Sequence, residues 1–305
     1  MKIILVHNKT LVHGGRPRLD GGYWNVYIPL MSLNHDVYFY DTVDPEEKDL
    51  NSIIERIKPD LIFCCMTGDT GLTPHEPWED IIKETESGRT RTFNWFCDDT
   101  WRFDTFSSQV CSNFTVCSTP EKRYIKKFKD IGYNNILLGG WHANIDLYPQ
   151  HAEKNLDVTF CGRPNSDREW YTDYLKKQGV NMEYFYGLAH EDMTWLHSSS
   201  KIALNFSKNT NAIESSTQIK ARVFEVPAAK TLLMTEYTED IEEFFAPDKE
   251  IITFEGPIEL FEKIKFLLQR EQLLQDIASR GHERFMREHE SKIRLSSILN
   301  KIMSS

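Results

Sequence analysis

Long apolar runs are missing from this chain of 305 residues. No stretch approaches the ~18 residues that a membrane-spanning helix needs. The apolar start, Ile3-Ile4-Leu5-Val6, is too short for a secretory signal, and no small-residue cleavage site follows it. The expectation is a cytoplasmic protein without an integral membrane segment. Glycine and proline are scarce, at 15 and 12 residues, which excludes a fibrous or low-complexity chain. The six cysteines (Cys64, Cys65, Cys97, Cys111, Cys117 and Cys161) contain no CxxC pair. Most lie in apolar segments and read as reduced, buried thiols, not as a redox or zinc site.

Positive charge is also in deficit. Lys and Arg number 36 against 46 Asp and Glu, a net charge of −10. The imbalance is even: 16 basic and 21 acidic residues in 1–150, 20 and 25 in 151–305. That argues against a dedicated domain for duplex nucleic acid, whose binding rests on phosphate neutralisation. One local exception is Lys122, Arg123, Lys126, Lys127 and Lys129. It reads first as a solvated helix face, with an acidic acceptor, a membrane surface or modified nucleic acid as alternatives. Several chemical signatures are absent: GxGxxG, Walker A, GxSxG, the kinase set, and HExxH, since His190-Glu191 and His289-Glu290 do not continue it. P-loop and serine-hydrolase chemistry are thereby disfavoured, and no metal-ligand spacing occurs.

What is present is an alternation of elements. Apolar runs at 2–6, 36–40, 61–65, 93–96, 114–117 and 136–138 predict buried strands in the first half, and 157–161, 182–186, 202–206, 231–235 and 250–254 in the second. Helical patterns fit 24–33, 49–57, a segment after Glu121, 166–177, 218–229, 239–245, 258–269, 271–286 and 291–303. Ser118-Thr119-Pro120-Glu121 and Ser166-Asp167-Arg168-Glu169 read as capping boxes, and Gly179 as a helix stop. Such alternation indicates parallel, doubly wound α/β sheets. Two units of ~150 residues explain the length, joined near residues 144–156. Ligands of such sheets bind beyond the strands' carboxyl ends, so a two-domain version places its site in the cleft between domains.

Four features suit chemistry. The loop His13-Gly14-Gly15-Arg16 to Asp20-Gly21-Gly22 follows the first strand and leads into a helix; glycines let backbone N–H groups approach an anion. Asp98 and Asp99 follow a strand end, as a general base or a hydrogen-bond anchor for sugar hydroxyls, or as caps of the next element. Gly162-Arg163 before a helix start could cradle a phosphate or be a plain turn with a solvated Arg. Arg222 and Glu225 share a helix face after the polar run Ser207-Lys208-Asn209-Thr210-Asn211. They suit a clamp on pyrophosphate and ribose, or a surface ion pair.

The second half carries a resemblance. Lys201-Ile202-Ala203-Leu204-Asn205-Phe206, Arg222-Val223-Phe224-Glu225-Val226-Pro227, Leu232–Glu236 and Ile277-Ala278-Ser279-Arg280-Gly281 resemble the CgeB-like (spore-protein-like) branch of the group 1 glycosyltransferases. The resemblance implies a GT-B fold. That fold has two Rossmann-like domains facing a cleft: 1–148 for the acceptor and 149–289 for the nucleotide sugar, with a helix at 290–305 crossing back to the first domain. It implies a metal-independent, hexosyltransferase-like enzyme without a resident cofactor. Such an enzyme moves a sugar from a nucleotide-sugar donor (UDP- or GDP-sugar) to a hydroxyl acceptor: a glycan, a small molecule or another polymer. Donor binding falls to Gly21, Gly22, Arg163, Lys208, Arg222 and Glu225. Asp98, Asp99 and His13 are the catalytic candidates. Thr217 stands where group 1 enzymes often carry a second glutamate, a departure from their commonest retaining pattern. A non-catalytic GT-B-like nucleotide- or glycan-binding or assembly protein is the alternative. A nucleic-acid-modifying glycosyltransferase and a Rossmann oxidoreductase or epimerase come after it.

Overall fold

The structure is a computed structural model that describes residues 1–13, 15–44, 46, 49–209 and 216–304. The chain forms two compact units, residues 1–141 with 291–305, and residues 142–290.

The elements of the first unit begin with β1 (Lys2–His7), the hairpin β2 (Thr10–His13) and β3 (Arg16–Leu19), α1 (Ile28–Ser32), β4 (Asp36–Asp41), α2 (Leu50–Ile57) and β5 (Leu61–Cys64). There follow α3 (Trp78–Ser87), β6 (Arg91–Trp95), α4 (Asp99–Arg102), α5 (Ser108–Val110), β7 (Val116–Thr119), α6 (Lys122–Asp130) and β8 (Ile136–Leu138). The sheet order is β4-β1-β5-β6-β7-β8, and every pairing is parallel. Alternation along β1 buries both faces. Ile4 and Val6 pack with Leu50, Ile53 and Ile54 of α2, while Ile3 and Leu5 pack with Leu30 of α1. Leu295, Leu299 and Ile302 of the last helix join that second face.

The second unit contains β9 (Leu156–Cys161), α7 (Ser166–Lys177), β10 (Met182–Phe185), α8 (His190–Ser198), β11 (Ser200–Asn205), α9 (Arg222–Ala228), β12 (Leu232–Glu236), β13 (Ile252–Phe254), α10 (Pro257–Leu268) and α11 (Glu271–Glu288). The final helix, α12 (Ser291–Ser304), belongs to the first unit. The second sheet is parallel throughout, ordered β10-β9-β11-β12-β13. Both units are thus Rossmann-like, and the fold is α/β. No helix among the described residues is long and apolar enough to cross a membrane.

Local differences from the sequence reading have physical causes. Ser118 and Thr119 do not cap α6; they are buried inside β7, where Ser118 pairs with Trp95 and Leu137. Asn165, not Ser166, caps α7, its side chain accepting from the Arg168 N–H. The stretch before Arg222 is not helical, because Gln218 N–H donates to the Ser207 carbonyl at 3.0 Å and Lys208 bridges Thr217. The glycine loop folds into the β2–β3 hairpin; Gly14 of that loop lies outside the described residues. Helices α3, α4, α5 and α8 are additional to the sequence reading. The segment predicted as one helix at 24–33 is a π-helical turn, Tyr23–Tyr27, running into α1. A second π turn, Phe103–Ser107, follows α4. Such turns are uncommon and concentrate at functional sites.

Candidate functional site

In the second unit the chain steps from β9 to β10 on one side, then crosses to β11 on the other. The switch point therefore lies beyond the carboxyl ends of β9 and β11, where open α/β sheets bind ligands. Arg222, the first residue of α9, reaches into it. Its Nη1 donates to Asn205 Oδ1 at 2.9 Å, and its guanidinium carbon lies 4.9 Å from the Phe160 ring centroid. Gly162 makes the room: a Cβ there would stand 2.7 Å from Phe160 Cζ and 3.0 Å from Arg222 Nη2. The Arg222 Nε is buried with no hydrogen-bond partner.

A second guanidinium meets the same ring. Arg168 on α7 is buried, lies 5.6 Å from the Phe160 centroid, and donates from Nη1 to the Arg163 carbonyl at 2.6 Å. Burial and then the Arg222 charge hold its pKa below the ordinary arginine value. Burial also lowers Arg222, with Glu225 opposing. Among the described residues neither arginine is ion-paired to a carboxylate. Two cations with donors left over, set at a switch point, form a place for an anion.

Glu225 follows one turn after Arg222 and is 7 % exposed. Burial pushes its carboxyl up to about 7, against the pull of Arg222. The Tyr148 hydroxyl is buried without a partner, and burial together with the Glu225 charge raises it well above the ordinary phenol value. Lys208 is turned elsewhere: its Nζ is 3.4 Å from Asp167 Oδ2, and its N–H donates to Glu236 Oε2 at 3.2 Å. Thr210 and Asn211 of the polar run lie outside the described residues. Arg163 is exposed beside the start of α7. Thr217 bonds hydroxyl to hydroxyl with Thr238 at 2.9 Å.

The first unit has its own switch point, between β1 and β5. His7 ends β1, and its Nδ1 is 2.9 Å from the Asn8 carbonyl and 3.9 Å from Asp20 Oδ1. The same Asp20 oxygen accepts the Gly22 N–H at 2.7 Å. Gly22 has an ordinary φ of −66°, so its glycine is not required by the backbone. It is required by space, since a Cβ would sit 2.2 Å from His7 Nε2. Burial alone would lower the His7 pKa; the charge and hydrogen bond of Cys65 and the charge of Asp20 raise it instead. Cys65 Sγ lies 3.7 Å from Cys97 Sγ.

Asp98 precedes α4 and lines a cavity of about 20 Å³ with Thr67, Trp95, Cys97 and Arg102. Asp99 is 1 % exposed, and burial pushes its carboxyl up to about 6 against the Ser107 and Thr119 hydroxyls. His13 lies in the hairpin opposite Arg16 and shares no hydrogen bond with either aspartate among the described residues. The basic helix α6 holds part of its charge locally, Lys126 on Asp130 at 2.6 Å and Lys127 over the Tyr124 ring at 4.2 Å. His289 is a core histidine, its Nε2 2.8 Å from the Phe244 carbonyl among three phenylalanine rings.

Sequence reasoning missed His7, Asp20, Cys65, Cys97, Asn205 and Arg168. His7 and Asn205 carried a usable signal, because each ends a strand at its carboxyl end. Arg168 carried none, being one charge inside a polar helix start.

A family model described as glycosyl transferase-like matches residues 147–300. No curated protein matches the chain. Among solved structures, a glycosyltransferase from Rickettsia africae is similar at TM-score 0.65 and 11% identity, covering 99% of this chain and 98% of that one. Sucrose-phosphate synthase from Thermosynechococcus elongatus is similar at 0.63 and 9%, covering all of both chains. HepE of Anabaena, in complex with UDP-glucose, is similar at 0.63 and 10%, again over both full chains. At these identities the structures establish the fold, the GT-B type with its two Rossmann-like domains. The family model spans half of the chain and includes Arg168, Asn205, Arg222 and Glu225, and the protein belongs to the glycosyl transferase-like family.

Proposed function

We propose that the protein transfers a hexosyl unit from a nucleotide-sugar donor to a hydroxyl-bearing acceptor, a glycan, small molecule or other polymer. The observation that carries this reading is the pair of guanidiniums on Phe160, without carboxylate ion-pair partners among the described residues, Arg222 of the pair standing one turn before the buried Glu225. Arg222 and Arg168, with the exposed Arg163, hold the diphosphate. As the bond from the sugar to the phosphate oxygen breaks, charge grows on that oxygen, and preorganised cations stabilise it. Glu225 holds the ribose hydroxyls; a carboxyl with a pKa near 7 both accepts and donates hydrogen bonds. Lys208 joins the phosphates only on leaving Asp167. Gly21 and Gly22 offer backbone N–H groups to the donor phosphates or sugar.

Asp98 positions the acceptor hydroxyl and takes its proton as the new bond to the sugar forms. Asp99 supports it from the interior, and His13 is the second choice as base. The arginines and the α7 N-terminus neutralise the leaving group, so the reaction proceeds without a metal ion. The HepE complex with UDP-glucose supports a uridine donor over a guanosine one. Assignment to the CgeB-like branch rests on the motifs around Asn205, Arg222 and Gly281.

A thermal-shift panel of nucleoside diphosphates and nucleotide sugars tests the reading, because specific binding raises the melting temperature by mass action. Stabilisation by one base class, lost in Arg222→Ala, is expected. No stabilisation by any member sinks the donor assignment. Binding with neither transfer nor donor hydrolysis points to the non-catalytic alternative. Turnover abolished by a chelator removes the metal-independent step.

A further inference from the structure

The cysteines of the first unit are not equivalent. Cys64 and Cys117 are fully buried, and burial drives both thiols well above the ordinary range. Burial also raises Cys111 and, in the second unit, Cys161. Cys65 and Cys97 differ in geometry. They stand just beyond the carboxyl ends of the neighbouring strands β5 and β6, their sulfurs 3.7 Å apart. His7, whose Nδ1 is 3.9 Å from Asp20 Oδ1, acts on Cys65 through its charge and a hydrogen bond. Cys97 lines the small cavity that also includes Asp98, with a volume of about 20 Å³. That is about the room one water needs, and a peroxide molecule is only slightly larger.

We propose that Cys65 and Cys97 form a peroxide-reactive dithiol, with Cys65 as the attacking thiolate, Cys97 as the resolving thiol and His7 as the cation that holds the thiolate and hands on protons. The hydrogen bond with Cys97 pulls Cys65 below the ordinary thiol range, burial opposes it, and the charge of His7 adds to the fall. A thiolate next to a cation with a resolving thiol at hand is part of what makes a cysteine reactive; Cys65 is 7 % exposed, and of the two thiols it is Cys97 that lines the small cavity.

The chemistry balances with hydrogen peroxide as the oxidant. The Cys65 thiolate attacks one peroxide oxygen, the O–O bond breaks, and a sulfenic acid forms. The departing hydroxide takes a proton from the His7 imidazolium and leaves as water. The Cys97 sulfur attacks the Cys65 sulfur, the S–O bond breaks, and the departing hydroxide takes the Cys97 thiol proton and leaves as the second water. Two thiols become one disulfide and peroxide becomes two waters. The sulfurs close from 3.7 Å to the bond length of about 2.05 Å.

The test uses the full chain treated with stoichiometric hydrogen peroxide at pH 7, followed by thiol counting in denaturant and peptide mapping. The chain has six cysteines, and the count should fall by two with a single Cys65–Cys97 cross-link. In Cys97→Ser, dimedone should trap the sulfenic acid on Cys65. In His7→Gln, alkylation of Cys65 by iodoacetamide at pH 6.5 should slow at least tenfold, with an unchanged circular-dichroism spectrum showing that the variant is folded. An unchanged thiol count, a cross-link between other cysteines, or alkylation of wild-type Cys65 no faster than that of Cys111 overturns the proposal. The wild-type mapping stands by itself should a variant fail to fold.

Discussion

The Arg222 guanidinium lies 4.9 Å from the Phe160 ring centroid, in the space left by the absent side chain of Gly162. The glycine is therefore a packing requirement of the arginine. Gly162→Ala should displace Arg222 and lower nucleoside-diphosphate affinity, while costing about 1–3 kcal/mol of stability through overpacking. Calorimetric titration with UDP and a urea melt on the same variant separate the two effects. Wild-type affinity in Gly162→Ala would remove the link between this contact and binding.

Arg222→Lys keeps the charge and loses the planar fork. Nucleotide affinity should fall roughly 10-fold in Arg222→Lys and more in Arg222→Ala, on the order of 100-fold, since charge-assisted hydrogen bonds are worth about 1.5–3 kcal/mol each. Equal affinities for the parent and both variants, by titration, would show that the diphosphate lies elsewhere.

Glu225 carries a pH signature. Its folded pKa is raised from 4.5 to about 7, so the native state binds a proton more tightly than the unfolded chain does. The carboxyl therefore costs no stability below the unfolded pKa, and the cost grows as pH rises through the window from 4.5 to about 7. Above that window it reaches about 3 kcal/mol. Glu225→Gln should flatten this fall. Urea melts of wild type and variant at pH 5 and pH 8 give the comparison; parallel losses in both would mean that another group titrates.

Gly22 and His7 compete for one volume, with a Cβ at 22 only 2.2 Å from His7 Nε2. Gly22→Ala should lower the melting temperature of the first unit by several degrees. His7→Ala should relieve part of that loss, giving a coupling of about 0.5–3 kcal/mol in a double-mutant cycle. Additive losses would mean that the imidazole moves aside at no cost.

Asp98→Asn should lower kcat by about 10²–10⁴-fold with nucleotide affinity unchanged, the pattern of a lost acid–base group. A change confined to KM would assign Asp98 to binding. His13→Gln under the same assay ranks the second candidate.

Much of the secondary structure was legible because burial on both faces makes parallel strands continuous apolar runs. Each strand of the six-stranded and five-stranded sheets overlaps one of the predicted runs. Helix starts were less legible. Ser118-Thr119 has the letters of a cap, but strand pairing with Trp95 and Leu137 takes precedence over a local hydrogen bond. The Gly-rich loop read as a backbone approach to an anion and is a hairpin in space, because its register depends on pairs such as His13 with Arg16.

The sequence by itself determined the class of fold and the division into two units, and it put Arg222 and Glu225 on one helix face. These follow from local periodicity and from two residues one helical turn apart. Only the tertiary structure decided which strand lies beside which, and so where each switch point falls. That order brings His7 to Cys65 across 58 residues and Arg222 to Asn205 across 17. It also turns Arg168, which the sequence reading placed only in a helix start, inward onto Phe160. Crossover connections set these neighbours, and the energy of a crossover lies in the packing of whole helices against a sheet, which no short stretch of letters contains.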